Sequence, residues 1–344
     1  MESGEVDRLS ELSTYLESLR QAGSQQGESG DFTVDPFKGQ RKLEAFQLAK
    51  PELCLLPLVS ACVANKATVI DVQGDFTDLS IRFDGRIWTH LDFAELLTSD
   101  SKVAREFRAA FSAAQALDPE KVTLLSRSGT LVSVLEFDDL KPTLSHYQDD
   151  PVHSEDFNWL EVRGGKAPGD PKLYDLLTER CCYCPQVAYR GRRLIRSSPP
   201  STAARLEIRS PNLSQPSLVM SAWVCIRTEM EGCAGHLWMT GENDNLFTFL
   251  VNGVAYNKRV KLGPYKGVRA VVALSQSRLD LSRTGLVTDD TFHQHLKTLE
   301  QCISQKLMPR VKREIRGMMP AQRKIAERFL EQWKRAGRFK PLRS

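Results

Sequence analysis

The segment Leu56 to Thr89 constrains the fold more than any other part of this 344-residue chain. Leu56-Pro-Leu-Val-Ser-Ala-Cys-Val-Ala-Asn-Lys-Ala-Thr68 is an apolar helical run. The strand Val69-Ile-Asp-Val72 follows it directly, and a second strand, Leu79-Ser-Ile-Arg-Phe83, runs into Asp84-Gly85-Arg86-Ile87-Trp88-Thr89. Helix, strand, strand and a glycine turn in this order ask for a sheet with a helix laid across one face.

That order resembles the nucleotide site of the GHKL superfamily, which includes gyrase, the ninety-kilodalton heat-shock chaperone and histidine kinases. In that family the helix reads roughly E-L-x-x-N-A-x-D-A-x-A-T and the turn D-x-G-x-G. With the family's final A-T placed on Ala67 and Thr68, Pro57 stands where the catalytic Glu belongs. Ala61 takes the Mg²⁺-ligand Asn, and Ala64 the following Asp. In the turn, Phe83 replaces the adenine-reading Asp, Gly85 is kept, and Ile87 replaces the second Gly.

Each change removes a function that the resemblance implies. Mg²⁺ needs oxygen ligands, and alanine has none to give. Pro57 has no group to activate water. Phe83 cannot accept a hydrogen bond from an adenine amino group, and a buried donor left unpaired costs about 1–3 kcal/mol. Ile87 adds bulk where glycine admits a ligand. Nor does any glycine occur between Gly85 and Gly129, so the expected phosphate-cradling loop is missing. The resemblance thus implies an ATP-site scaffold without ATP hydrolysis, cofactor or metal.

A second resemblance lies downstream. The strand Val268 to Leu274 leads into Leu279-Asp-Leu-Ser-Arg-Thr-Gly-Leu286 and then a helix capped by Asp289 or Asp290. This is similar to the end of the chaperone's middle domain, with Leu279, Leu281, Ser282, Arg283 and Leu286 matching. Thr284 stands where Glu is usual. For Arg283, packing or capping is expected, and for Asp84 a local side-chain turn.

The expected class is α+β: a Bergerat-like α/β sandwich with helices on one face of a mixed sheet. A smaller β-α-β transducer or middle-type domain and a basic C-terminal helix follow. The expected boundaries are 1–31 for an N-terminal helix and linker, 32–170 for the degenerate nucleotide domain, and 171–202 for a connecting helix and hairpin. Residues 203–305 then form the middle-type domain and 306–344 the tail. Helices are expected at 6–21, 42–48, 91–97, 102–115 and 173–181, and strands at 121–126, 130–137 and 159–163. Asn252-Gly253 marks a hairpin between Phe247–Val251 and Val254–Tyr256.

Charge is uneven. From Lys306 onward there are 13 Lys or Arg against three Glu, a local +10 within a chain of net +4. Arg310, Arg313, Arg316, Arg323, Lys324 and Arg328 are therefore the partner-binding candidates, for an acidic protein or for nucleic acid. Packing of this segment's apolar stripe on the body is the alternative. The eight cysteines are expected to be reduced structural thiols. No run approaches the roughly 20 apolar residues that span a bilayer, and the acidic start lacks a leader pattern, so the cytoplasm is expected. No Walker loop, G-x-S-x-G or H-E-x-x-H appears.

The function expected is that of a non-enzymatic, chaperone-like protein-interaction or scaffolding module with a protein partner. A divergent ATPase and a nucleic-acid binder acting through the tail are the alternatives.

Overall fold

The computed structural model describes residues 50–338, except 76, 139–140, 150–154, 167–169, 195–224, 231–232, 240–241, 264, 275–276, 281–282 and 319. The expected helices at 6–21 and 42–48, the linker, and the start of the second domain lie outside the described residues. The described residues all belong to one compact unit.

A 3-10 turn at Pro51–Cys54 opens into helix α1, Leu55–Ala64. Its residues Leu55 to Val63 are all buried, which explains an apolar run without a polar face. Strands β1 (Val69–Gly74) and β2 (Leu79–Phe83) follow, with alternating burial. Helices α2 (His90–Thr98) and α3 (Lys102–Gln115) come next, and α3 buries Phe107, Ala110, Phe111 and Ala114 along one stripe. Then come β3 (Lys121–Ser128), β4 (Leu131–Asp138), β5 (Lys141–Gln148) and β6 (Phe157–Arg163). Helix α4 (Asp170–Arg180) leads into the short hairpin β7 (Gln186–Tyr189) and β8 (Arg192–Arg193).

These strands form one mixed eight-stranded sheet in the order β5-β4-β3-β6-β2-β1-β7-β8. All its pairs are antiparallel except β1 with β7, where Ile70 faces Val187. Cross-strand register puts Leu124, Leu135 and Leu160 on one line, and that line is buried.

A second sheet holds β9 (Cys225–Met230), β10 (Cys233–Met239), β11 (Leu246–Val251), β12 (Val254–Arg259) and β13 (Val268–Leu274). Its order is β12-β11-β13-β10-β9. Asn252 and Gly253 both take positive φ, 47° and 78°, the turn that the Asn-Gly pair favours. Helix α5 (Asp290–Cys302) follows β13, with Asp289 accepting from Phe292 N–H as its cap. A π turn (Ile303–Leu307) joins α5 to α6 (Met308–Glu314), and α7 (Pro320–Arg338) ends the described chain.

The mixed α+β architecture, with a large mixed sheet and C-terminal helices, agrees with the expected class. Two strands have no clear signature in the sequence. In β5, Pro142 and polar residues break the pattern, and every side chain is exposed. β10 carries Gly235 and His236 in an otherwise apolar strand.

The basic segment is not a free amphipathic helix. Val311, Ala326 and Phe329 are fully buried in the second core, beside Phe249 and Phe292. Arg310 pairs with Glu314, Arg323 donates to the Arg316 and Met318 carbonyls, and Arg328 reaches Asn243 and the Glu242 carbonyl. Arg313, Arg316 and Lys324 reach the surface. No described helix is long and apolar enough to cross a membrane.

Candidate nucleotide-site remnant

The six positions picked from sequence lie along α1 and the turn after β2. Pro57 and Ala61 are buried in α1, Ala64 is half-buried at its end, and Ile87 is half-buried after the turn. The helix stops at Ala64, so the Ala67-Thr68 pair lies beyond it and leads into β1. Gly85 adopts φ +109°, and a Cβ there would stand 2.6 Å from the Asn65 carbonyl oxygen and 3.0 Å from the Ala67 nitrogen. The turn therefore sits directly on the end of α1. Arg86 N–H donates to the Asn65 carbonyl at 3.1 Å, and Asn65 Nδ2 donates to the Arg86 carbonyl at 2.9 Å.

Asp84 corrects an expectation. Its carboxylate accepts from the Thr68 and Val69 backbone N–H groups, at 2.6 and 2.8 Å, and from the Thr68 hydroxyl. It ties the turn to the start of β1 instead of making a local side-chain turn. The distance in sequence, 16 residues, hid this partner. A further chain of bonds closes the other side. Trp88 N–H donates to Ser126 Oγ at 2.7 Å, Ser126 Oγ donates to Asn158 Oδ1 at 2.8 Å, and Asn158 Nδ2 reaches the Arg86 carbonyl at 3.3 Å.

Beneath the turn the space is aromatic. Phe83, Trp88, Phe93 and Phe107 are buried together. Trp88 packs edge-on against Phe107 at 4.6 Å and against Phe93 at 5.5 Å, and Phe83 lies 6.4 Å from Phe107. Such edge-to-face packing adds about 0.5–1.5 kcal/mol per pair beyond burial.

Thr89 and Asp92 form a reciprocal cap at the start of α2. The Thr89 N–H and hydroxyl donate to the Asp92 carboxylate at 2.8 Å each, and Arg86 bonds its other oxygen. These donors, the Thr89 backbone first, hold the Asp92 carboxyl below its ordinary value. A depressed folded pKa stabilises above the unfolded value, about 3.9 for Asp, and that contribution fades as pH falls through the folded one. Thermal melts should therefore drop on acidification below about pH 4, and less steeply in Asp92→Asn.

Sequence reasoning missed a polar cluster on the far side of α1. Arg283 Nη1 meets Glu106 Oε2 of α3 at 2.6 Å, with side chains 23% and 12% exposed. Ser60 of α1 donates to the same oxygen at 2.9 Å, and Asn252 Nδ2 donates to Ser60 Oγ at 3.0 Å. Arg180 donates to the Ala255 and Thr284 carbonyls and stacks on Tyr256, whose hydroxyl reaches the Arg283 carbonyl. Arg283 and Thr284 are thus clamped between the first sheet's helices and β12. Packing was the expected role for Arg283; its carboxylate partner, 177 residues away, was not legible. Glu106→Ala would strand a half-buried guanidinium, and chemical denaturation should show a loss of about 2 kcal/mol.

Cys181 and Cys184 stand three residues apart, and their thiols are hydrogen-bonded. That bond and burial raise the Cys184 thiol well above its ordinary value, with Cys182 and Cys62 nearby. These cysteines are free thiols. No group of three metal-ligating side chains occurs among the described residues.

No family model matches the chain, and no curated protein matches it. Among solved structures, the B subunit of DNA gyrase from Myxococcus xanthus is similar at 11% identity with a TM-score of 0.45. The match covers 74% of this chain and 90% of that one.

Proposed function

We propose that this chain is a non-enzymatic protein-interaction module built on a GHKL-like scaffold whose nucleotide site is closed. The reading rests on the seating of the Gly85 turn against the end of α1. A nucleotide entering there must break the pair of hydrogen bonds between Asn65 and Arg86, each worth about 1 kcal/mol. It must also push aside buried aromatic rings whose burial is worth about 1.5–3 kcal/mol apiece. Displacing two rings and both bonds costs on the order of 5–8 kcal/mol. A micromolar ligand releases only about 8 kcal/mol, so little affinity is left. The residues aligned with the family's base and metal ligand, Pro57 and Ala61, supply no polar side chain in either state.

The surface offered to a protein partner is the outer edge of the large sheet. All eight side chains of β5 are exposed, Leu144 and Tyr147 among them. An extended segment of the partner would add there as a ninth strand, gaining backbone bonds and two apolar contacts. The chaperone-like role belongs to this proposal.

The competing enzyme reading assigns a divergent ATPase. Phosphate release from Mg-ATP by the full chain is expected to equal the protein-free rate. Turnover above it that Glu106→Gln abolishes would replace our reading, because Glu106 is the carboxylate that faces α1.

Nucleic acid remains the second alternative for the basic segment. Deleting 306–344 would remove Val311 and Phe329 from the second core, so the informative variant keeps the helices. Reversing Arg313, Arg316 and Lys324 to Glu tests it, and unchanged salt-dependent RNA association counts against it.

A further inference from the structure

At the opposite edge of the large sheet from β5, α4 and the β7–β8 hairpin border an open cleft of about 630 Å³. That volume lies within the range of small-molecule sites. Pro171, Tyr174, Asp175, Tyr189, Arg190 and Arg192 line it. None of these was singled out from sequence, and none belongs to the remnant beside α1.

The lining combines three chemistries. Tyr174 and Tyr189 meet at 64° with centroids 6.1 Å apart, giving an aromatic corner. Tyr189 is buried, whereas Tyr174 leaves 44% of its surface exposed. An exposed aromatic ring beside a buried one offers a face to stack on. Arg190 is anchored: it donates to the Gly74 carbonyl at 2.6 Å and lies over the Tyr189 ring. The hairpin turn itself is held by Gly191 N–H on Asp71 at 3.0 Å, with Arg190 at φ +51°. Arg192 follows on β8 with an exposed side chain that makes no hydrogen bond or ion pair among the described residues. Asp175, also exposed, projects from the first turns of α4.

We infer that this cleft binds a ribonucleoside monophosphate, either free or at the end of a single strand. The base stacks on Tyr174 in the aromatic corner. The phosphate meets Arg192, a charge-assisted contact with a guanidinium that has no competing partner among the described residues. Asp175 accepts from the ribose hydroxyls, as carboxylates do in nucleotide sites. A plain anion would leave both rings unused, and a neutral nucleoside would leave Arg192 unpaired. The rigid hairpin turn means that little ordering is required on binding.

Titration calorimetry of the full chain with adenosine 5′-monophosphate tests this, with adenosine, inorganic phosphate and the 2′-deoxy nucleotide as controls. The monophosphate should bind with a sub-millimolar Kd, at least tenfold more tightly than adenosine or phosphate. Arg192→Ala and Tyr174→Ala should each weaken it tenfold or more, and Arg192→Ala should leave the melting temperature unchanged, since its side chain is exposed. Asp175→Asn should narrow the gap between ribo and deoxy forms. Tighter binding of a short oligoadenylate than of the mononucleotide identifies a strand end as the source; equal binding identifies the free nucleotide. Absence of binding, equal affinity for adenosine, or indifference to Arg192→Ala overturns the inference. None of these outcomes depends on whether the remnant beside α1 is closed, because Arg192 lies outside it.

Discussion

Replacing Phe107 by alanine is expected to destabilise the protein by about 4 kcal/mol, the largest effect of any substitution considered. Phe107 is fully buried on α3 and touches Trp88, Phe83 and Phe111. Truncation removes its transfer energy and leaves a cavity that neighbouring rings fill incompletely, because α1, α3 and the sheet are held in place by their other contacts. Chemical denaturation should show a lower midpoint with an unchanged slope, since the surface exposed on unfolding barely changes. A loss below about 1 kcal/mol would mean that the aromatic cluster does not fill this space.

Gly85→Ala carries the second large effect, about 3 kcal/mol, for a different reason. No cavity forms. The new Cβ meets the Asn65 carbonyl at 2.6 Å and the Ala67 nitrogen at 3.0 Å, both backbone atoms that cannot rotate away. The φ of +109° adds strain for any residue with a side chain. Relief requires the turn to lift off α1, which breaks the Arg86–Asn65 bonds. Hydrogen exchange at the Arg86 amide should accelerate in step with the lost stability. Wild-type exchange there would show that the turn does not rest on the helix.

Much of this architecture was legible in the sequence, and the reasons differ by element. β2 was bounded at Leu79 and Phe83 by its alternation of buried and open positions, and α3 at Lys102 and Gln115 by a single apolar stripe. The cap, narrowed to Asp289 or Asp290, and the Asn252-Gly253 turn were legible because their chemistry is local. β5 was not, because an edge strand with all side chains exposed has no periodicity to read.

At the Gly85 turn, the sequence told which side chains are apolar but not what they pack against. Ala61 and Pro57 visibly carry no polar side chain. The contact of Gly85 with Asn65 does not appear in any spacing, nor does the diversion of Asp84 to Thr68. The Glu106–Arg283 pair joins helix and loop across 177 positions, beyond any local rule. The cleft at Tyr174 and Arg192 likewise exists only once α4 folds beside the β7–β8 hairpin.

The seating of the Gly85 turn on α1 is tested most directly by backbone amide chemical shifts in the isotopically labelled full chain, titrated with Mg-ATP. The Asn65, Gly85 and Arg86 amides should stay in place to millimolar nucleotide, whatever moves at Tyr189 to Arg192. Saturable shifts of Gly85 and Arg86 that depend on Mg²⁺ would contradict the account.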